Sequence, residues 1–254
     1  MWVQADVDPS GNMKKLLRFG ALLLVLGFHF ASAQTLRYAN VKGAVRGYCY
    51  AVSAYKDPEA AGGFAEYGAR PRMLPEQLQT PRGVELHIDT TKDVAFENEL
   101  HGYRMYLANR TPDHVGFFAS DSRMKILAEV LYEDKWRTIE YFPSSWCGNS
   151  YHRVFLRPYQ AWVFVIPQYH GAVPVKLRYR CDPGNGKYIY SNVIRASFNP
   201  EQLVKKMPHE PGGIMDPYLD ESQEAPEVKR IKIRKPDPIP MGGNGSGVMS
   251  GGLE

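Results

Sequence analysis

The chain has 254 residues, with 31 Lys+Arg against 27 Asp+Glu for a formal net charge of +4, and it is 44% hydrophobic and 12% aromatic. That length and apolar content suffice for one sizeable core. A charge this mild argues against nucleic acid as a partner.

Residues 1–12 carry no export logic and read as an over-called start. From Met13 the pattern changes. Lys14, Lys15 and Arg18 make a cationic stretch, an apolar run extends from Phe19 to Phe30, and Ala31-Ser32-Ala33 supplies small residues for cleavage. Together, 13–33 form the three parts of a secretory signal peptide. The apolar run is about 12 residues, or roughly 18 Å of helix, against about 20 residues for a bilayer span. A signal that is cut after Ala33, leaving Gln34 first and no transmembrane segment, is therefore expected. Export places the protein in the periplasm, at the cell surface or in the medium.

Residues 34–82 begin with aromatic and β-branched types, including Gly47-Tyr-Cys-Tyr-Ala-Val-Ser-Ala-Tyr55, which predict one or two strands. They continue as a long loop with Pro58, Pro71, Pro75, Pro81 and Gly62-Gly63 and no periodicity.

From 83 to 203 period-two alternation dominates. Val84, Leu86 and Ile88 alternate with polar residues, and Tyr103, Met105 and Leu107 with Arg104, Tyr106 and Ala108. Residues 124–132 and 136–142 flank a Glu-Asp-Lys turn. Tyr151 to Leu156 predicts a strand, and Ala161-Trp-Val-Phe-Val-Ile166 a strand buried on both faces. Val173 to Cys181 places Val175, Leu177, Tyr179 and Cys181 on one side and Lys176, Arg178 and Arg180 on the other. Lys187 to Phe198 follows the Asp182-Pro-Gly-Asn-Gly186 turn cluster. About eight such runs, with turn residues between them and no helical stripe, predict an all-β fold built as a β-sandwich.

After a single helical turn near 201–206, residues 204–254 turn Pro- and Gly-rich and nearly lack aromatics, so they are expected to be mostly disordered. Within them Val228, Ile231 and Ile233 alternate with basic residues and read as a candidate docking strand.

The most unusual loop is Pro143-Ser-Ser-Trp-Cys-Gly-Asn-Ser-Tyr-His152, which offers Trp146, Asn149, Tyr151 and His152 as a candidate binding set. Cys147 beside His152 has the residue types of a thiol nucleophile and its base, but no catalytic motif surrounds them and the chain reads as non-enzymatic. The three cysteines allow one bridge in an oxidising compartment; Cys147–Cys181 and Cys49–Cys181 stand open, as does a fully reduced state. There is no CxxC, and His87 with Asp89 gives two ligands only, so neither a metal nor any other cofactor is expected. The basic stripe of Lys176, Arg178 and Arg180 reads first as a solvated sheet face.

Tyr179-Arg180-Cys181 resembles the Tyr-x-Cys of immunoglobulin strand F, and with Trp162 it points to an immunoglobulin- or fibronectin-like sandwich. The usual partner cysteine on strand B, near 103–109, is absent. Leu107-Ala-Asn-Arg-Thr, Trp136-Arg-Thr-Ile-Glu-Tyr, the 143–152 loop, Tyr190-Ser-Asn192 and Asn199-Pro200 resemble uncharacterised exported proteins of Bacteroidetes-type bacteria over 107–203. That resemblance implies an envelope location and a β-sandwich. The expected function is binding of another envelope or surface protein, with the tail as tether or docking segment. The alternative is a carbohydrate- or ligand-binding module that uses Trp136, Trp146 and Tyr151.

Overall fold

A computed structural model describes residues 35–64, 66–97, 99–145, 147–205 and 216–218. The signal at 13–33, Trp146 and the 228–235 strand lie outside these residues. The chain divides after Thr35, and every element below belongs to the unit Leu36–Glu254.

The fold is all-β. Among the described residues there is no α-helix, only three short 3-10 turns, and no helix is long and apolar enough to cross a membrane. The strands are β1 (Val45–Arg46), β2 (Arg72–Met73), β3 (Gly83–Phe96), β4 (Leu100–Arg110), β5 (Val115–Ser120), β6 (Arg123–Met124), β7 (Ile126–Tyr132), β8 (Lys135–Thr138), β9 (Glu140–Tyr141), β10 (Tyr151–Leu156), β11 (Gln160–Pro167), β12 (Val173–Cys181), β13 (Ile189–Tyr190) and β14 (Ile194–Phe198).

Two larger antiparallel sheets carry the structure. One has the order β2-β11-β4-β3; the other runs β13-β12-β7-β8, with β14 also on β12. A three-stranded sheet, β10-β5-β6, and the parallel pair β1-β9 complete it. Two hairpins turn on two residues held at positive φ, Asp121-Ser122 (46° and 63°) and Glu133-Asp134 (50° and 57°). That backbone gives the right-handed twist that two-residue hairpins need.

Alternation dictates which side chains meet. Leu86 and Ile88 on β3, Met105 and Leu107 on β4, and Trp162, Phe164 and Ile166 on β11 join Ile126, Ala128 and Val130 on β7, Leu177, Tyr179 and Cys181 on β12, and Phe198 on β14 in one core. On β11 the expectation of two buried faces is corrected. Val165 is 36% exposed, because it points away from the core that takes its neighbours.

The segment before β3 packs into the main core. Ala39, Val41, Val45, Tyr48, Cys49 and Ala51 are buried in the same core. Val45 pairs in parallel with Glu140, and single bridges join Ala39 to Tyr169, Tyr50 to Arg123 and Ala51 to Ala69. The tail is not uniformly detached. Tyr218 is buried, packs its ring at a tilt against Tyr141 with centroids 4.6 Å apart, and accepts a 2.7 Å hydrogen bond from the Lys205 amide.

Candidate functional site

Antiparallel pairing sets Arg178 opposite Glu129 and Arg180 opposite Leu127, and β8 sets Thr138 opposite Glu129 and Trp136 opposite Leu131. Directly paired residues project to the same face. The face they share is the outer one, since Ala128, Val130, Leu177 and Tyr179 point into the core.

On that face Glu129 is almost fully buried and organises two cations. Arg178 donates from Nε and Nη2 to Oε2 at 2.9 Å, and Arg180 Nη1 lies 3.1 Å from Oε1. Held this way, the Arg178 guanidinium sits 4.1 Å from the Trp136 ring centroid and 4.0 Å from that of Tyr190, while Arg180 sits 4.7 Å from Tyr188. Tyr188 and Tyr190 remain 48% and 44% exposed. The stripe read as a solvated face is therefore an ordered strip of stacked arginines and aromatics.

Arg180 also lines a cavity of about 560 Å³ at the end of this strip. Phe118, Phe142 and Tyr151 form an aromatic wall, with Phe118 stacked on Tyr151 at 5.6 Å. Leu127 and Thr138 line it from the sheet, and Lys125 is a second cation, paired with Asp182 at 3.0 Å. Glu140, Tyr141, Ser144 and Val204 complete the lining. A smaller cavity of about 370 Å³ lies elsewhere, against Tyr38, Tyr103, His170 and Arg195.

The candidate binding loop is not one surface. Tyr151 lines the cavity, and its hydroxyl accepts a 2.9 Å bond from the Ser145 amide that closes the loop. His152, the next residue on β10, points the other way: it is buried, stacks on Phe64 at 3.7 Å, and its Nδ1 lies 3.0 Å from the Ser150 carbonyl. Burial holds its pKa below the ordinary value. Asn149 is exposed and lies beside Gly63. Trp146 falls outside the described residues.

The Cys147–Cys181 disulfide is corrected: all three thiols are free. Cys147 is exposed on the loop, whereas Cys181 is fully buried on the inner side of β12, so the two sit in different environments. Burial pushes the Cys49 thiol well up, with Glu140 and then Cys181 adding to the effect, and burial likewise pushes up Cys181. Cys147 is exposed whereas His152 is buried against Phe64 with Nδ1 on the Ser150 carbonyl, and its buried Nε2 meets no hydrogen-bond partner among the described residues, the Cys147 thiol included. Among the described residues no group of three or more acidic, histidine or cysteine side chains converges as a metal site; Asp89 instead accepts two bonds from Thr91.

Sequence reasoning missed a fully buried carboxylate. Glu140 Oε1 accepts from Tyr169 at 2.6 Å, Tyr48 at 2.9 Å and Tyr179 at 3.2 Å, and Oε2 accepts from the Ala128 amide at 3.1 Å. Burial pushes its pKa up to about 7 against the pull of those donors. The signal for it was a lone acid inside the β-prone run 136–142. No protein-family description, no curated protein and no solved structure matches this chain.

Proposed function

We propose that this chain is a non-enzymatic exported envelope protein whose outer sheet face, from the 142–151 cavity along the Arg–aromatic strip, binds another envelope or surface protein. The observation that carries the reading is the Trp136–Arg178–Tyr190 stack with Tyr188 on Arg180 beside it. Trp, Tyr and Arg are the residues that dominate protein interfaces. Here Glu129 holds the arginines in place before any partner arrives, so less side-chain entropy is lost on binding. The export pattern at 13–33 supports the compartment, and the resemblance over 107–203 supports the envelope.

The same reading takes the two main sheets as an immunoglobulin-like sandwich. The order β3-β4-β11 in one sheet and β14-β12-β7-β8 in the other has the pattern A-B-E and G-F-C-C′. Tyr179 and Cys181 then fall on strand F. Two features depart from the pattern. Trp162 is on β11 rather than on strand C, and the Tyr179 hydroxyl meets Tyr48 and Glu140 rather than backbone.

The carbohydrate alternative is less favoured. Trp136 has Arg178 packed against its ring, and Tyr151 has Phe118 stacked on its own. The test is affinity capture from the source organism's envelope fraction with the tagged full chain and with Tyr188→Ala/Tyr190→Ala. A partner retained by the native chain and reduced tenfold or more in the variant is expected; equal recovery from both overturns the reading, as does a protein that emerges alone and monomeric from both.

A further inference from the structure

The 560 Å³ cavity has the volume of a small-molecule site. One side is apolar and fixed. Phe118 packs against Tyr151 and Phe142, with ring centroids 5.6 Å and 6.1 Å away. The other side carries Lys125 and Arg180. The turn after β12 holds the two sides together. The Pro183 carbonyl accepts the Phe118 amide at 3.2 Å, and the Asp182 carboxylate meets Lys125 at 3.0 Å.

Arg178 spends its Nε–Nη2 edge on Glu129. Arg180 meets the same carboxylate through Nη1 at 3.1 Å. That leaves Arg180 its own Nε–Nη2 edge, the one that takes a carboxylate in two parallel bonds. Tyr188, 4.7 Å from the guanidinium, holds it in place. The Lys125 side chain is still 39% exposed, and an ammonium has three donors. Glu140 lines the cavity as well, but its carboxyl is already engaged by Tyr48, Tyr169, Tyr179 and the Ala128 amide. With its pKa pushed up to about 7, it is mostly uncharged at pH 6. Three cations, Lys125, Arg178 and Arg180, then stand against two anions, Asp182 and Glu129. One more carboxylate balances them.

We propose that the cavity binds a small organic carboxylate, its apolar body against Phe118 and Phe142 and its carboxylate on Arg180 and Lys125. The apolar body removes the aromatic wall from water, and the charge-assisted bonds fix its orientation. An uncharged analogue of the same body keeps the first contribution and loses the second. The cavity is one end of the face assigned above to a partner protein, but this binding needs no partner.

Isothermal titration calorimetry of the purified full chain at pH 6 decides this. The probes are 4-phenylbutyrate with 4-phenylbutanol, and octanoate with 1-octanol; the better acid tells a ring from a chain. Saturable one-to-one binding of at least one acid is expected, with its alcohol about tenfold weaker, the worth of one charge-assisted hydrogen bond. Arg180→Gln and Lys125→Gln should each weaken the acid by about fivefold or more and leave the alcohol as it was. Arg180→Lys, which keeps the charge, should recover part of that loss. No saturable binding by either acid overturns the proposal. So does an alcohol that binds as well as its acid, native acid affinity in either Gln variant, or equal losses in Arg180→Gln and Arg180→Lys. The probes are read on the purified chain alone and partner capture on the tyrosine variants, so the two readings fail separately.

Discussion

Tyr169 donates a 2.6 Å hydrogen bond to Glu140 with both residues buried, tying the turn after β11 to the short strand β9. Tyr48 and Tyr179 complete the enclosure and lie 2.6 Å from each other. One carboxyl group therefore links the amino-terminal segment, β7, β9 and β12.

The chain should be more stable at pH 5 than at pH 8 on account of Glu140. Its folded pKa is about 7, against an ordinary 4.5. A raised acid keeps its full contribution below 4.5 and loses it as pH climbs through 7, because the unfolded chain releases the proton more readily. Between pH 5 and 8 the loss is roughly 2–3 kcal/mol. Urea midpoints of the native chain and Glu140→Gln at both pH values check this: the variant should lack that share of the pH dependence. Parallel pH profiles would refute it.

Thiol accessibility gives a second test. A single equivalent of thiol, at Cys147, should react with an aromatic disulfide reagent in the native protein, and all three should react after unfolding. Cys147 is exposed, while Cys49 and Cys181 are buried and their thiolates strongly disfavoured. Rapid labelling of Cys49 in native protein, located by mass spectrometry, would contradict the packing around Glu140.

Glu129→Gln should cost about 1–3 kcal/mol, since hydrogen bonds to charged groups from Arg178 and Arg180 are weakened in a mostly enclosed site. It should also release Arg178 from the Trp136 ring. A midpoint shift in urea together with altered tryptophan emission is the expected pair of signals. Unchanged emission would show that the stack does not depend on the carboxylate.

Much of this was legible from alternation. β10 and β12 coincide with the runs 151–156 and 173–181 because one face of each is buried and one is not. β5 was not legible: Val-Gly-Phe-Phe-Ala-Ser has no period, and Gly116 is there because a Cβ would lie 2.7 Å from the Phe155 ring. The asparagines inside the 107–111, 190–192 and 199–200 motifs were not legible as clamps. Asn109 Nδ2 donates to the Asp113 and Arg157 carbonyls, Asn192 holds both backbone groups of Ile88, and Asn199 Nδ2 donates to the Val41 carbonyl. Of the candidate loop residues, Tyr151 lines the cavity and His152 is buried, a separation that strand parity alone gives. Phe118, Lys125 and Arg180 come together only through pairing across distant strands.

The segment 34–82 reads from its composition as one or two strands and a long ordered or semi-ordered loop, and Gly68 tests how it is packed. The structure packs its first part into the core. Gly68 has φ +122°, and a Cβ there would lie 2.2 Å from the carbonyl carbon and oxygen of Tyr50. Those atoms are fixed: the Ala69 amide donates to the Tyr50 carbonyl at 2.7 Å, and the Val52 amide donates to Ala69 at 2.9 Å. Gly68→Ala must therefore push these backbone segments away from each other and also adopt a strained φ, at a combined cost of roughly 2–5 kcal/mol. Gly62 lies in the same segment with φ +84°, but a Cβ there meets nothing within 4 Å. Gly62→Ala should then show backbone strain alone, about 1 kcal/mol. Thermal melts of the two variants should separate clearly, Gly68→Ala lower; equal melting temperatures would mean that the 50–52 and 67–69 backbones are not packed as described.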